Sequence, residues 1–361
     1  MRNQAQNRTE DMIIELRHEL HECAEISGRE YQTKQTLIHF IQTNTSLEIQ
    51  DFDGGFLAIH RELSAKRTVV LRADYDALPD PLNAEKAIHL CGHDGHCAAL
   101  CAVALWLEQR TIEKNVLLLF QASEETGEGA NKCLPILQTK HIDEIYGAHN
   151  LPGYPLGDVF TKYGTFACGS EGLSIRMTGK PTHAAYPENG ISPAYPMAEF
   201  MDFLKKEKAD GTLCTVVGIN GGDGTFGQAL SEVTIRLTIR AEIQKDLDRL
   251  RNEIIQKAKD IAMRSELSVF VEETDVFPTT ENHYNQADKV FHACRATKLQ
   301  KPLRWSEDFG VYLKSLKGAF FGIGAGEECP ALHTKDYEYP DELLVKTARA
   351  FEKILTYEEE T

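Results

Sequence analysis

The chain lacks any apolar run near the roughly 20 residues that a membrane-spanning helix needs. Residues 1–6 are polar and contain no apolar signal core. Internal repeats and low-complexity tracts are also missing, and the nine cysteines form an odd set without a disulfide-like spacing. These absences predict a cytoplasmic protein whose thiols are reduced and mostly buried.

Basic residues are scarce relative to acidic ones, since 39 Lys and Arg stand against 55 Asp and Glu, for a formal net charge of −16. Nucleic acid favours clustered Lys and Arg, so we expect no nucleic-acid partner. The acidic excess is typical of a solvated surface. It still allows an anionic substrate, because a local potential can oppose the net charge. We therefore expect a small-molecule substrate, and neither nucleic acid nor membrane as a partner.

The 361 residues, of which 42% are hydrophobic, are enough for two domains. β-rich runs alternate with helical periodicity up to about residue 166, and this alternation resumes after residue 277. It predicts an α/β domain over residues 1–166 and 277–361, built on a helix-flanked, mostly parallel sheet. Residues 167–276 follow a strand–helix–strand–strand–helix–strand order, which predicts an inserted, smaller α+β domain.

The most informative stretch is residues 90–96, with the sequence Leu-Cys-Gly-His-Asp-Gly-His. A thiolate and an imidazole two positions apart, Cys91 and His93, suit a transition-metal site. Such positions share a face only where the backbone is extended, so we expect both to reach one ion from a strand end or loop. Residues 95–108 have the small, apolar composition of a buried helix. Taken alone, a Cys-x-His pair is more often structural than catalytic.

Further polar residues follow the predicted strands, where open α/β sheets place their sites. They are Asp76, the pair Glu124 and Glu125, and His149. An acidic pair could supply a metal ligand and a separate carboxylate that takes a proton from water. By itself, however, the pair is more typical of a solvated turn or a helix N-terminus. His149, like His333 in a later turn, is alone more typical of a core or surface position than of a ligand.

Together, five residues form a candidate ligand set: Cys91, His93, Glu125, His149 and His333. A single catalytic zinc usually takes three protein ligands plus water. Five ligands, including a thiolate or carboxylate that can bridge, suit two divalent ions roughly 3.5–4 Å apart. The thiolate favours zinc or a similar borderline metal over magnesium or calcium. We expect two divalent ions per chain, zinc or manganese.

The sequence resembles the dinuclear metallopeptidase-type amidohydrolases, which include hippurate hydrolases, N-acyl-amino-acid deacylases and plant auxin-conjugate hydrolases. The resemblance rests on segments that run in order through nearly the whole chain: residues 72–79, 89–96, 120–125, 147–150, 183–185, 306–310 and 332–334. It implies a metal-binding catalytic domain over 1–166 and 277–361. It also implies that residues 167–276 form a lid domain through which homodimers assemble.

The resemblance implies a role for each site residue. The five candidate ligands match the metal ligands of the family, and Glu124 matches its general base, which activates water and later protonates the leaving amine. Asp76 resembles the carboxylate that orients a ligand imidazole. His183 resembles the lid histidine that polarises the scissile carbonyl oxygen, supplied in some dimers by the partner subunit. The lid of the family usually carries an Asn-containing segment, but residues 221–228 contain no Asn, so no particular family substrate is carried over.

The first interpretation is therefore a metal-dependent amidohydrolase that cleaves N-acyl amino acids or similar small amides with metal-activated water. A dipeptidase or carboxypeptidase would use the same dinuclear site and differ in the part of the substrate that the lid domain binds. A non-catalytic metal-binding homologue would have no need of Glu124 as a base. A thiol hydrolase with Cys91 as nucleophile would be inhibited by alkylation of the thiol and not by removal of metal.

Overall fold

The computed structural model describes residues 2–206 and 210–358. Its strands are β1 (Glu48–Phe52), β2 (Gly55–His60), β3 (Arg67–Asp74), β4 (Leu78–Asp80), β5 (Asn83–Ile88), β6 (Lys114–Gln121), β7 (Glu144–Pro152), β8 (Val159–Thr161), β9 (Gly164–Ala167), β10 (Gly169–Thr178), β11 (Thr212–Gly221), β12 (Glu232–Ala241), β13 (Ser268–Phe277), β14 (Thr280–Asn282), β15 (Thr297–Lys298) and β16 (Gly318–Gly326). The helices of the described residues are α1 (Arg2–Glu22), α2 (Tyr31–Asn44), α3 (His93–Glu108), α4 (Gly129–Gln138), α5 (Ala194–Lys206), α6 (Gln244–Arg264), α7 (Tyr284–Cys294), α8 (Gly310–Leu313) and α9 (Asp341–Thr356), with a short 3-10 helix at Pro187–Asn189.

The described residues form two compact units. The first unit contains the chain up to Phe166, the segment Thr280–Pro302 and the chain from Glu307 onward. The second unit contains Ala167–Thr279 and Leu303–Ser306. Within the described segments, no helix combines the length and the apolar character that crossing a bilayer requires.

The first unit is built on an eight-stranded sheet with the order β1-β2-β6-β3-β7-β16-β8-β15. Its four central strands, β6, β3, β7 and β16, run parallel to one another. Towards the edges, β1, β2 and β8 join the sheet antiparallel. The central strands are buried along most of their length, because helices pack against the sheet. Strands in such a position are typically continuous apolar runs. The predicted helix-flanked, mostly parallel α/β sheet is confirmed.

Helix α3 lies at the centre of the core of this unit, in contact with α1, α9 and strand β3. Its side chains are small and apolar on nearly every face, and Ala98, Ala99 and Leu100 have no exposed surface. A helix that is apolar all round is typically buried. The first residue of this helix is His93, so a candidate ligand starts from a rigid, buried element.

The second unit is a four-stranded antiparallel sheet with the order β11-β12-β10-β13. Burial along β12 alternates, because one face of the sheet packs on α5 and α6. The strand β11 lies at one edge of this sheet and is largely exposed.

Candidate active site

Three neighbouring parallel strands of the first unit end at the same edge of the sheet. Strand β3 ends at Asp74, and Asp76 lies two residues beyond it. Strand β6 ends at Gln121, ahead of Glu124, and β7 contains His149. Because β3 pairs in parallel with both β6 and β7, these carboxyl ends converge.

A glycine turn places the cysteine–histidine pair. Cys91 lies in a loop, but His93 is the first residue of α3, so the helix begins two residues earlier than the expected start at residue 95. The expectation of extended backbone is therefore wrong for His93, because Gly92, with φ of +93°, turns the chain into the helix. A Cβ atom at Gly92 would lie 2.6 Å from the Tyr337 hydroxyl, so the close packing also requires glycine.

The five predicted ligands all lie in the first unit and form two groups that share a thiol. Cys91 groups with His93 and His149, and its Sγ lies 3.4 Å from Nε2 of His149. Cys91 also groups with Glu125 and His333, and the Oε1 of Glu125 lies 3.7 Å from Nε2 of His333. In each group the ligand atoms lie within 4.8 Å of one another. Together the two groups would have enough donors to hold two divalent ions, with Cys91 common to both groups.

The chemistry of this donor set fits a metal. Nε2 of His93 and Oε1 of Glu125 lie 3.9 Å apart. Both atoms are buried, and neither makes a hydrogen bond within the described part of the chain. A buried polar atom without a partner costs free energy, and a cation between these two atoms would satisfy both. Thiolate, imidazole and carboxylate together suit zinc or another borderline metal.

The second nitrogen of each buried imidazole is held by an acceptor. Nδ1 of His93 donates to the backbone oxygen of Asp76 at 2.9 Å, and Nδ1 of His149 donates to the backbone oxygen of Asn150 at 2.9 Å. These bonds turn Nε2 of both rings toward the ligand groups, the orientation that metal-binding histidines need. His333 differs, because its side chain is 53% exposed.

Glu124 is a further buried carboxyl beside the ligand set. Its Oε2 lies 4.0 Å from Nε2 of His93, and its Oε1 accepts a hydrogen bond from the backbone N–H of Asp308 at 3.3 Å. Burial, together with the nearby Glu307 carboxyl, raises the pKa of Glu124 well above its usual value. A carboxyl beside such a donor set is placed to accept a proton and later return it.

A buried polar network next to Glu124 was missed by the sequence reasoning. The Arg72 guanidinium is buried and contacts three carboxyl groups: Asp74 at 2.5 Å, Asp308 at 2.7 Å and Glu307 at 3.0 Å. Burial raises the pKa of Glu307 to about 8. The i, i+2 spacing of Arg72 and Asp74 on β3 was an available signal, because such residues share one face of a strand.

His96 was not predicted as a site residue, although it lies in the stretch 90–96 together with Cys91 and His93. Its ring packs against those of His93 and His149, with centroid distances of 5.4 and 4.7 Å. Its Nδ1 lies 2.6 Å from Asp74 Oδ1 and its Nε2 lies 2.6 Å from Asn150 Oδ1. Both nitrogens are thus occupied, and the His96 ring packs against both candidate ligand rings.

His183 lies in the second unit, on an exposed loop. Its Nδ1 accepts a hydrogen bond from the backbone N–H of Ala185 at 3.1 Å. The loop is held to the divergent segment 221–228, because the N–H of Ala184 donates to the oxygen of Gly227 at 3.0 Å. The other predicted site residues all belong to the first unit.

Comparisons with known proteins show the family and the fold of this chain. The family model for Peptidase family M20/M25/M40 matches residues 70–357. An N-acetyldiaminopimelate deacetylase of Leuconostoc mesenteroides is 26% identical and covers 96% of this chain and 97% of its own. A hippurate hydrolase of Campylobacter jejuni is 25% identical and covers 94% of both chains. A solved dinuclear metal binding peptidase from M20 family, of Bacillus subtilis, has a TM-score of 0.81 at 21% identity, covering 97% of this chain and 98% of its own. That last similarity shows the fold.

Proposed function

This chain belongs to the peptidase family M20/M25/M40, and on that basis we propose that it hydrolyses the amide bond of N-acyl amino acids or similar small amides. Two relatives that it matches over nearly their full length are a deacetylase and a hydrolase. The observation that carries the proposal is the buried Glu124 carboxyl, 4.0 Å from a candidate ligand nitrogen. A purely structural metal site needs no adjacent proton acceptor.

We propose that the shared-thiol ligand set holds two divalent ions, zinc or manganese. Its members are Cys91, His93, Glu125, His149 and His333. When bound, such ions supply Lewis-acid activation of a water molecule and of the scissile carbonyl. The presence of a thiolate and of imidazoles supports a borderline metal.

Glu124 performs the proton transfers in this proposal. Its Oε2 faces the ligand set and accepts a proton from the attacking water, while the N–H of Asp308 keeps Oε1 in place. Glu124 then donates that proton to the leaving amine, so that one group acts first as base and then as acid. His183 is the proposed donor to the carbonyl oxygen, where negative charge develops.

The second unit is the proposed lid and dimerisation domain. Three residues of its edge strand β11, Leu213, Val217 and Ile219, are 42%, 61% and 44% exposed. An exposed apolar edge strand is a surface for pairing with another chain. We propose that two copies associate through it, which light scattering of the purified protein would test. All nine cysteines are free thiols, which supports a cytoplasmic location.

The decisive experiment is a substrate panel on the full chain reconstituted with zinc or manganese. N-acetyl, N-benzoyl and longer N-acyl amino acids are compared with dipeptides, and amine release is measured. Faster turnover of N-acyl amino acids supports the proposal. Turnover confined to dipeptides assigns a dipeptidase on the same site. No turnover of either class by metal-loaded protein overturns the proposal and favours a non-catalytic metal-binding homologue.

A further inference from the structure

The turn that carries the proposed base begins with a strained residue. Ser123 has a φ of +57°, in the left-handed region that non-glycine residues seldom adopt. It is buried and directly precedes Glu124 in the chain. A residue keeps such a conformation only where its surroundings hold it. The contacts of Ser123 therefore determine where the Glu124 carboxyl stands.

Glu30 supplies these contacts from a distant part of the chain. Its Oε1 accepts a hydrogen bond from the backbone N–H of Ser123 at 2.9 Å and another from the Ser123 hydroxyl at 3.3 Å. Glu30 lies 93 positions from Ser123 in the sequence and is only 7% exposed. A hydrogen bond from a backbone N–H to a carboxylate is about twice as strong as one between neutral groups.

A second carboxylate holds the other side of the turn. Oδ2 of Asp76 accepts a hydrogen bond from the backbone N–H of Glu125 at 2.9 Å. Asp76 also orients His93, so it belongs to the metal site itself. Glu30 hydrogen-bonds to the turn through Ser123 alone among the described contacts. We propose that Glu30 is a positioning residue, which sets the place of the Glu124 carboxyl through the backbone of Ser123. This inference rests on the proposed function, because it concerns the base of that reaction.

Removal of Glu30 should move the base without emptying the site. A misplacement of a reacting group by about 1 Å can cost on the order of 10²-fold in rate. We therefore expect Glu30→Ala to lower kcat by about 10- to 10²-fold. KM and metal content should stay close to wild type, because the described side-chain hydrogen bonds of Glu30 go to Ser123 and not to a candidate ligand. Glu30→Gln keeps an oxygen acceptor for the Ser123 N–H and should restore most of kcat.

The chain offers a matched control in Glu25. Its Oε2 accepts hydrogen bonds from the backbone N–H of Thr33 at 2.8 Å and from the Thr33 hydroxyl at 2.9 Å. Glu25 therefore makes the same pair of bonds as Glu30, but to a residue outside the turn that carries Glu124. Glu25→Ala should lose comparable local bonding and keep the wild-type kcat. Glu30→Ala with a kcat no lower than that of Glu25→Ala would overturn the proposal.

Hydrogen exchange gives a readout that does not depend on turnover. The amides of residues 122–126 should exchange faster in Glu30→Ala than in wild type, but not in Glu25→Ala, when the metal-loaded full chains are analysed by mass spectrometry. Unchanged exchange there refutes a role for Glu30 even if no substrate is found. If the wild type turns over no N-acyl amino acid yet this exchange difference is present, the proposed function fails and the positioning role stands. If Glu30→Ala does not fold, Glu30→Asp replaces it, since its shorter side chain withdraws the acceptor and should also raise exchange relative to Glu30→Gln. Equal exchange in these two variants contradicts the proposal.

Discussion

The Nδ1 atom of His93 lies 2.9 Å from the backbone oxygen of Asp76 and 3.2 Å from its carboxylate oxygen Oδ1. Both oxygens are acceptors, so Nδ1 carries the ring proton and Nε2 keeps its lone pair for a metal. The other oxygen of the Asp76 carboxylate, Oδ2, accepts a hydrogen bond from the backbone N–H of Glu125. One carboxylate therefore orients two candidate ligands of different chemical types.

Asp76→Ala keeps the backbone oxygen that accepts from His93 but removes the carboxylate that contacts both His93 and the N–H of Glu125. It should weaken metal binding about 10- to 100-fold, the usual effect of losing a group that orients a ligand. Competition with a chromogenic chelator measures this change. Ser27→Ala is the control, because it removes only the hydroxyl that donates to Asp76 at 2.6 Å. Wild-type metal affinity in Asp76→Ala would mean that His93 is oriented by other contacts.

Glu124→Gln and Glu125→Gln should separate the base from the ligand. Gln at position 124 preserves the shape of the side chain but cannot accept the proton of water, so kcat should fall by at least about 10²-fold with metal content unchanged. Gln at position 125 should instead lower the metal content, because Glu125 Oε1 lies between two imidazoles. Metal analysis and kinetics on the same preparations check both expectations. Loss of metal in Glu124→Gln but not in Glu125→Gln would show that Glu124 is the ligand and Glu125 the base.

Chelation should abolish activity, and added zinc or manganese should restore it. Cys91→Ser should lower metal affinity, because it removes the thiolate that both ligand groups share. Elemental analysis of the reconstituted wild type should find about two ions per chain. Activity that survives chelation but is lost on alkylation of the thiol would favour Cys91 as a nucleophile.

His183→Ala should fold and bind metal normally, because the side chain is exposed. We expect kcat to fall by about 10²–10³-fold, the cost of losing one donor to a developing oxyanion. The matched control is His141→Ala, which removes another exposed histidine, with a side chain 89% exposed, from the first unit. Wild-type kcat in His183→Ala on the best substrate of the panel would remove this residue from the mechanism.

Lys289→Met should lower the free energy of unfolding by about 3–5 kcal/mol at pH 7, because it leaves the buried Glu144 carboxylate without its ion-pair partner. Nζ of Lys289 lies 2.6 Å from Oε2 of Glu144, and both side chains are more than nine-tenths buried. Burial alone would raise the pKa of Glu144, but the hydrogen bond and charge of Lys289 outweigh it and lower the pKa.

The sign of the pH effect follows from this lowered pKa. The pKa of Glu144 is lower in the folded state than in the unfolded state. The stabilisation from its ion pair with Lys289 is therefore fully present at pH values above the unfolded pKa of about 4.3. It is lost as the pH falls through the folded pKa. Urea unfolding at several pH values should therefore show the difference between wild type and Lys289→Met narrowing in acid. A difference that is constant with pH would contradict the assignment.

Residue types and hydrophobic patterning were enough to propose the candidate ligands from the chain alone. Asp76 and Glu124 could be placed after strands because a strand-to-loop transition is a local property that follows from hydrophobic patterning. His149 was also predicted to follow a strand, but β7 continues through it to Pro152. The helix-flanked, mostly parallel sheet followed from the same patterning. The start of α3 at His93 could not be predicted, because it depends on the left-handed conformation of Gly92. The packing of Tyr337 against Gly92 leaves no room for a Cβ atom there.

The contacts around Glu124 come from distant parts of the chain and could not be predicted. Arg72 and Asp308 are 236 positions apart and meet at 2.7 Å, and Glu30 reaches Ser123 across 93 positions. No periodicity relates such pairs, because their contact depends on the order in which the strands assemble in the sheet and on which loops then lie side by side. Buried carboxyl groups are costly unless they are paired. The pairs that form are those that the folded chain brings within hydrogen-bonding distance.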